Sequence, residues 1–250
     1  MSMGNYAKHA AVWDWSGHDR SGEVNCWLTL AQKYGTRVLS AMCATGKVAS
    51  ALAEECLTVT AVDITTEMIN EGRRKYGHSP NLTFREGDIC ALDLATKDYD
   101  FTFIATTDIH HLHTSEAREK ALASLATHTR PGGGLGIELW YPPDKSFASP
   151  WREFQPLVPP TPGEPKAWKK GRTEYDASTK LVTITQEVFV ERDGVVEQFP
   201  HAFSLQLFSR EDLYGTLARA GYIEVAEYGS YDLEPWEQGS SKWIVEAVRR

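Results

Sequence analysis

Eight consecutive residues carry the densest chemistry in the chain. Thr106-Thr107-Asp108-Ile109-His110-His111-Leu112-His113 place three imidazoles and a carboxylate in one short stretch. Histidine titrates near neutrality, so such a stretch can take a proton from a nucleophile or orient it. His111 is the first candidate for a base or substrate orienter and His110 the second. Both residues serve equally well to cap or pack a following helix. His110, His111 and His113 lack the i, i+4 spacing of a helical metal pair, so no metal is expected. A second constellation lies earlier. An apolar run through Val38-Leu39 leads into Ser40-Ala41-Met42-Cys43-Ala44-Thr45-Gly46-Lys47, and another apolar run ends at Val62-Asp63, 17 residues beyond Gly46. An acid at that place suits hydrogen bonds to the two ribose hydroxyls of a nucleotide-like ligand.

The elements that must hold these groups follow from hydrophobic periodicity. Short apolar runs at 37–41, 57–62, 81–85, 100–105 and 135–140 read as strands, and 47–55, 66–76 and 115–127 read as helices between them. Thr65 or Thr66 is placed to cap the second of these helices. The run Arg130-Pro131-Gly132-Gly133-Gly134 reads as a turn. Strands alternating with helices predict a doubly wound, mostly parallel α/β sheet of seven strands, with 222–228 and 242–248 closing it antiparallel. The fourth strand delivers the histidine stretch at its carboxyl end, the edge where ligands bind in such sheets.

The remaining segments differ in character. Residues 6–32 carry helical spacing rich in aromatics (Tyr6, Trp13, Trp15, Trp27). Residues 141–170 hold eight of the twelve prolines, which predicts a loop with turns. Residues 173–207 alternate by two around Asp193-Gly194, a hairpin signal. Ser209 with Asp212 has the form of a helix-capping box. The expected division is an N-terminal helical lid over 1–35, a Rossmann-like core over 36–141 and 205–250, and a Pro-rich loop with an antiparallel β insert over 142–204. Tyr6 and Arg20 on the lid are candidates for gripping a ligand carboxylate or the substrate, Arg20 bidentately.

In this order and spacing the chain resembles the class I S-adenosylmethionine (SAM)-dependent methyltransferases. Their first loop reads acid-x-Gly-x-Gly-x-Gly; the aligned places here hold Ser40, Met42, Ala44 and Gly46, so only the last glycine remains. Without glycine, Met42 is expected to take a backbone conformation that suits a side chain. The resemblance implies SAM as cofactor. Asp63 would hold the ribose, Ile64 and Met68 the adenine face, and Asp88, with Ile89 beside it, the adenine amino group. Met42, Cys43, Ala44, Gly46 and Thr106 would line the rest. His111 resembles the histidine that small-molecule N-methyltransferases carry in an Ile-x-His-Leu stretch. The insert resembles one that roofs the substrate or forms a dimer contact in enzymes methylating amino sugars and amino acids. Phe147, Trp151, Arg152, Trp168, Arg172 and Tyr175 are its candidate lining residues.

Bulk properties narrow the function. Net charge is −8 and no Lys/Arg run is dense, which disfavours nucleic acid and anionic membrane as partners. Four cysteines without a C-x-x-C pair, residues 1–18 without the apolar core of a signal peptide, and no run long enough to span a bilayer together predict a reduced, cytoplasmic setting. A nicotinamide dinucleotide would require a clear Gly-x-Gly-x-x-Gly that is missing here, which disfavours an oxidoreductase. The expectation is methylation of a small polar metabolite at nitrogen or oxygen, with a homodimer as a possible state. The alternative is a SAM-binding regulatory or partner protein whose altered loop has lost transfer.

Overall fold

The computed structural model describes residues 6–15, 20–55, 57–140, 148–157 and 166–250. Phe147 and Cys56 fall outside them. The chain divides into two compact units, Arg20–Tyr141 with Phe208–Arg250, and Met1–Asp19 with Pro142–Leu207. The first 35 residues are divided between the two units. A short helix α1 (Tyr6–His9) and the turn after it belong to the second unit, whereas α2 (Ser21–Tyr34) belongs to the first.

The larger unit runs α2, β1 (Arg37–Ala41), α3 (Lys47–Glu54), β2 (Thr58–Asp63), α4 (Thr66–Tyr76), β3 (Leu82–Glu86), β4 (Tyr99–Ile104), α5 (Ser115–His128) and β5 (Thr129–Leu139). After the other unit it resumes with α6 (Arg210–Arg219), β10 (Tyr222–Tyr228) and β11 (Trp243–Arg249). Its seven strands are ordered β10-β11-β5-β4-β1-β2-β3. Strands β1 to β5 are parallel, and β11 and β10 close the sheet antiparallel, as expected. β1 and β4 are buried almost throughout, the pattern of a strand covered on both faces.

Helix ends follow local chemistry. Thr114 Oγ1 accepts the Ala117 N–H at 3.1 Å, and Ser209 with Asp212 forms a complete capping box. Thr65 precedes α4 without a side-chain cap, and the Thr66 hydroxyl donates instead to Glu86 at 2.7 Å. The glycine run before the fifth strand is not a separate turn. β5 already begins at Thr129, and a break in register with β4 between Tyr99 and Phe101 absorbs the run.

The second unit is a four-stranded antiparallel sheet, β6 (Ser149–Leu157), β7 (Lys166–Asp176), β8 (Leu181–Arg192) and β9 (Val195–Gln206), in that order. Asp193-Gly194 makes the β8–β9 turn with φ of 50° and 78°. The proline-rich segment is thus partly strand, against expectation. Pro150 and Pro156 sit in β6, an edge strand with two register breaks, where a missing N–H costs no ladder bond on the open side. Val12 and Trp15 are buried against Ala167, Val188, Val190 and Phe199.

Candidate functional site

The first loop connects β1 to α3 and keeps a glycine-like trajectory without the glycines. Met42, Ala44 and Gly46 have φ of 55°, 50° and 76°, so every second residue is left-handed. This corrects the expectation for Met42. A non-glycine residue there costs about 1–2 kcal/mol, and neighbours must supply it. The Met42 side chain packs on the core cluster that includes Leu39 and Ile109. Cys43 N–H donates to the Val62 carbonyl at 2.9 Å, and Gly46 N–H returns to the Cys43 carbonyl at 2.8 Å. A Cβ on Gly46 would lie 2.5 Å from the Phe84 ring, so this glycine is required both by space and by φ.

Asp63 ends β2 and closes the loop. Its Oδ2 accepts the Ala44 N–H at 2.8 Å and its Oδ1 the Thr65 N–H at 2.9 Å. Burial pushes its carboxyl above the usual range, and these backbone donors oppose that shift. Beside it Ile64 is 48% exposed, an isolated apolar side chain beside the acid. Ala44 presents no long side chain at the point of closest approach. A β-branched residue there would combine left-handed strain with crowding. Ala44→Val is expected to lower unfolding free energy by about 1–2 kcal/mol, and Ala44→Gly to change it by less than about 1 kcal/mol, in denaturant titrations.

Other expected residues are placed differently. Met68 is 1% exposed and Ile89 belongs to the core. Asp88 caps the turn Ile89–Ala91, its Oδ1 accepting the Cys90 N–H at 2.8 Å, and the residue is exposed. Arg20 makes a bidentate pair, but with Glu23: Nε to Oε2 at 2.5 Å and Nη2 to Oε1 at 2.9 Å. Tyr6 lies in the other unit, its ring packed on His201 and Trp13.

After β4 the chain makes two more left-handed residues, Thr106 and Thr107. Thr106 N–H donates to Glu138 Oε2 at 3.0 Å and its hydroxyl to Asp108 Oδ2 at 2.8 Å. His110 is fully buried. Its Nε2 accepts the Trp140 N–H at 3.0 Å and its ring packs on Phe208, so its lone pair is spent on the fold and it is withdrawn as a candidate base. His111 is partly buried. Burial, then the neighbouring His113, push its pKa down to about 4. It is neutral at pH 7 but only a weak base. Its folded pKa is below the unfolded one, so its contribution to stability, present above pH 6.5, falls away as pH drops toward 4. A His111→Asn chain should show a flatter stability profile over that window in denaturant titrations. Among the described residues no group of three or more His, Cys, Asp or Glu is placed to hold a metal ion.

Sequence reasoning missed Glu138 on β5. Its carboxylate is 1% exposed and receives Tyr231 OH at 3.1 Å, Lys242 Nζ at 2.9 Å and the Thr106 N–H. A lone Glu inside the apolar run Gly136-Ile137-Glu138-Leu139 was the only signal.

The strand order, five parallel strands closed by two at the antiparallel edge, is that of a Rossmann-like fold. Residues 38–133 match the methyltransferase domain family. The chain is 31% identical over 128 residues to the demethylmenaquinone methyltransferase of Beutenbergia cavernae, covering 51% of this chain and 48% of that protein. It is 25% identical over 150 residues to the dTDP-3-amino-3,4,6-trideoxy-alpha-D-glucopyranose N,N-dimethyltransferase of Streptomyces venezuelae, covering 57% and 61%. The chain thus spans about half the length of the curated relatives it matches. The SAM-bound amino pentose methyltransferase of calicheamicin biosynthesis from Micromonospora echinaspora superposes with a TM-score of 0.73 at 19% identity, over 97% of each chain, and shares the fold. No described helix is long and apolar enough to cross a membrane.

Proposed function

We propose that the chain is a SAM-dependent methyltransferase for a small polar metabolite, working at nitrogen or oxygen in a reduced, cytoplasmic setting. The observation that carries this is the first loop: left-handed at 42, 44 and 46, and tied through Ala44 N–H to the Asp63 carboxylate. The residues fit the cofactor. Asp63 would hold the ribose hydroxyls, the exposed face of Ile64 the adenine, and the remaining oxygen of Asp88 its amino group. The loop backbone with Cys43, together with Arg20 Nη1 and the Thr106 turn, would meet the methionine end. SAM supplies an electrophilic methyl group on a sulfonium. The protein's part is alignment for in-line displacement and custody of the acceptor's proton. His111 is suited to hydrogen-bond an acceptor as a neutral imidazole. In this reading the antiparallel unit, with Trp151, Arg152, Trp168, Arg172 and Tyr175, serves as substrate cap or homodimer contact.

Calorimetry with SAM and S-adenosylhomocysteine tests the reading, followed by radiolabelled methyl transfer to a panel of amino sugars, amino acids and phenols. Binding with transfer is the expected result. No binding at millimolar cofactor overturns it. Binding without transfer to any panel member would favour a regulatory SAM-binding protein.

A further inference from the structure

The strain after β4 has a beneficiary. Thr106 and Thr107 are β-branched, yet stand at φ 53° and 67°. Such a turn persists only where its surroundings over-determine it, and it is most informative near a site of chemistry. Glu138 holds it by accepting the Thr106 N–H, and is itself fixed by Tyr231 and Lys242. The turn sets the direction of Asp108. The Thr106 hydroxyl occupies Asp108 Oδ2, and Oδ1 has no hydrogen-bond partner among the described residues. Asp63, Glu138 and Arg20 are near enough to act on its charge. Burial raises the proton affinity of Asp108, the two carboxylates raise it further, and Arg20 and the Thr106 hydroxyl oppose them. His110 has spent its lone pair on Trp140, and His111 is a weak base. Asp108 therefore combines an unused acceptor atom with a raised affinity for a proton.

Resting on the methyltransferase reading, we propose that Asp108 faces the methyl acceptor and takes the proton of an amine, with Glu138 positioning it through Thr106. The acceptor arrives as an ammonium, drawn to Asp108, since the cations Arg20 and Lys242 are already matched by Glu23 and Glu138. One N–H proton passes to Asp108 Oδ1, which frees the nitrogen lone pair. That pair forms the new nitrogen–carbon bond while the carbon–sulfur pair stays on sulfur. The positive charge leaves sulfur as a neutral thioether forms, and the product is the methylated ammonium. The proton on Asp108 returns to solvent as product leaves.

The test needs no knowledge of the acceptor. Sinefungin carries an ammonium group in place of the sulfonium methyl, and S-adenosylhomocysteine carries a neutral thioether. Calorimetry on the full chain near neutral pH should find sinefungin bound about tenfold more tightly than S-adenosylhomocysteine. Asp108→Asn should bring the two affinities within about twofold of each other, with that for S-adenosylhomocysteine unchanged. Its melting temperature should hold or rise, because a buried carboxylate with a raised pKa weakens the fold at neutral pH. Glu138→Gln should lower the sinefungin preference in part. If Asp108→Asn does not fold, the wild-type chain decides alone. Its sinefungin preference should shrink as pH is lowered from neutrality, while the ligand amine stays charged. An unchanged preference in Asp108→Asn, or one constant with pH, overturns the role of Asp108 and leaves the cofactor reading standing. Failure of the wild-type chain to bind either ligand overturns the cofactor reading itself.

Discussion

Asp63→Ala is expected to weaken SAM binding by about 10- to 100-fold in calorimetry, the equivalent of about 1.5–3 kcal/mol for hydrogen bonds to a charged group. The magnitude comes from two losses. The ribose hydroxyls would lose a carboxylate acceptor, and the first loop loses the group that accepts the Ala44 and Thr65 N–H groups at 2.8 and 2.9 Å. The second loss is separable. Asp63→Asn keeps one oxygen for a loop N–H and replaces the other acceptor with a donor. It should therefore preserve more of the denaturation midpoint than the Ala variant, yet still lose most of the cofactor affinity. If Asp63→Ala leaves affinity unchanged, the ribose assignment fails, and with it the argument from the loop.

The division between what the residues reveal and what they conceal follows the range of the interactions. The parallel strands were legible because each is a short apolar run between helical periods, and the hairpin because Asp193-Gly194 supplies left-handed residues at the turn. The capping box at Ser209 and Asp212 is local, three residues apart, and appears as read. The Met42 and Ala44 conformations were not legible, because local preference argues against them. They are imposed by Asp63, 19 residues beyond Ala44, and by packing of Met42 on the core. Glu138 was hidden for the same reason, since its partners Tyr231 and Lys242 lie 93 and 104 residues away. The histidine stretch is the reverse case. Its position was legible, but burial divided its members, spending His110 on a backbone N–H and leaving Asp108 with the free acceptor. β6 shows how an edge position relaxes a rule: an outer strand has one unpaired side, and its prolines are tolerated there.

The largest loss of stability is expected from Trp27→Ala. Trp27 lies on α2 with no exposed surface, and its ring stacks on Phe103 at a centroid distance of 5.1 Å. β5 makes room for it: a Cβ on Gly136 would stand 2.6 Å from Trp27 Cζ3 and 2.9 Å from Phe101 Cζ. Removing the indole leaves a cavity between α2 and the sheet. A cost of about 3–5 kcal/mol follows for truncating a buried Trp. Gly136→Ala should also destabilise the wild-type chain, by overpacking of about 1–3 kcal/mol. The two changes address the same space, so their effects should not add. In the Trp27→Ala background the Gly136 methyl meets one ring fewer and fills part of the void, and the double variant should be more stable than the sum of the singles predicts. Denaturant midpoints for the four chains measure this. Strict additivity would mean that α2 is not held to β5 by this contact. The coupling also bears on the site, since Arg20 and Glu23 stand at the start of the same helix, and loosening Trp27 should loosen them.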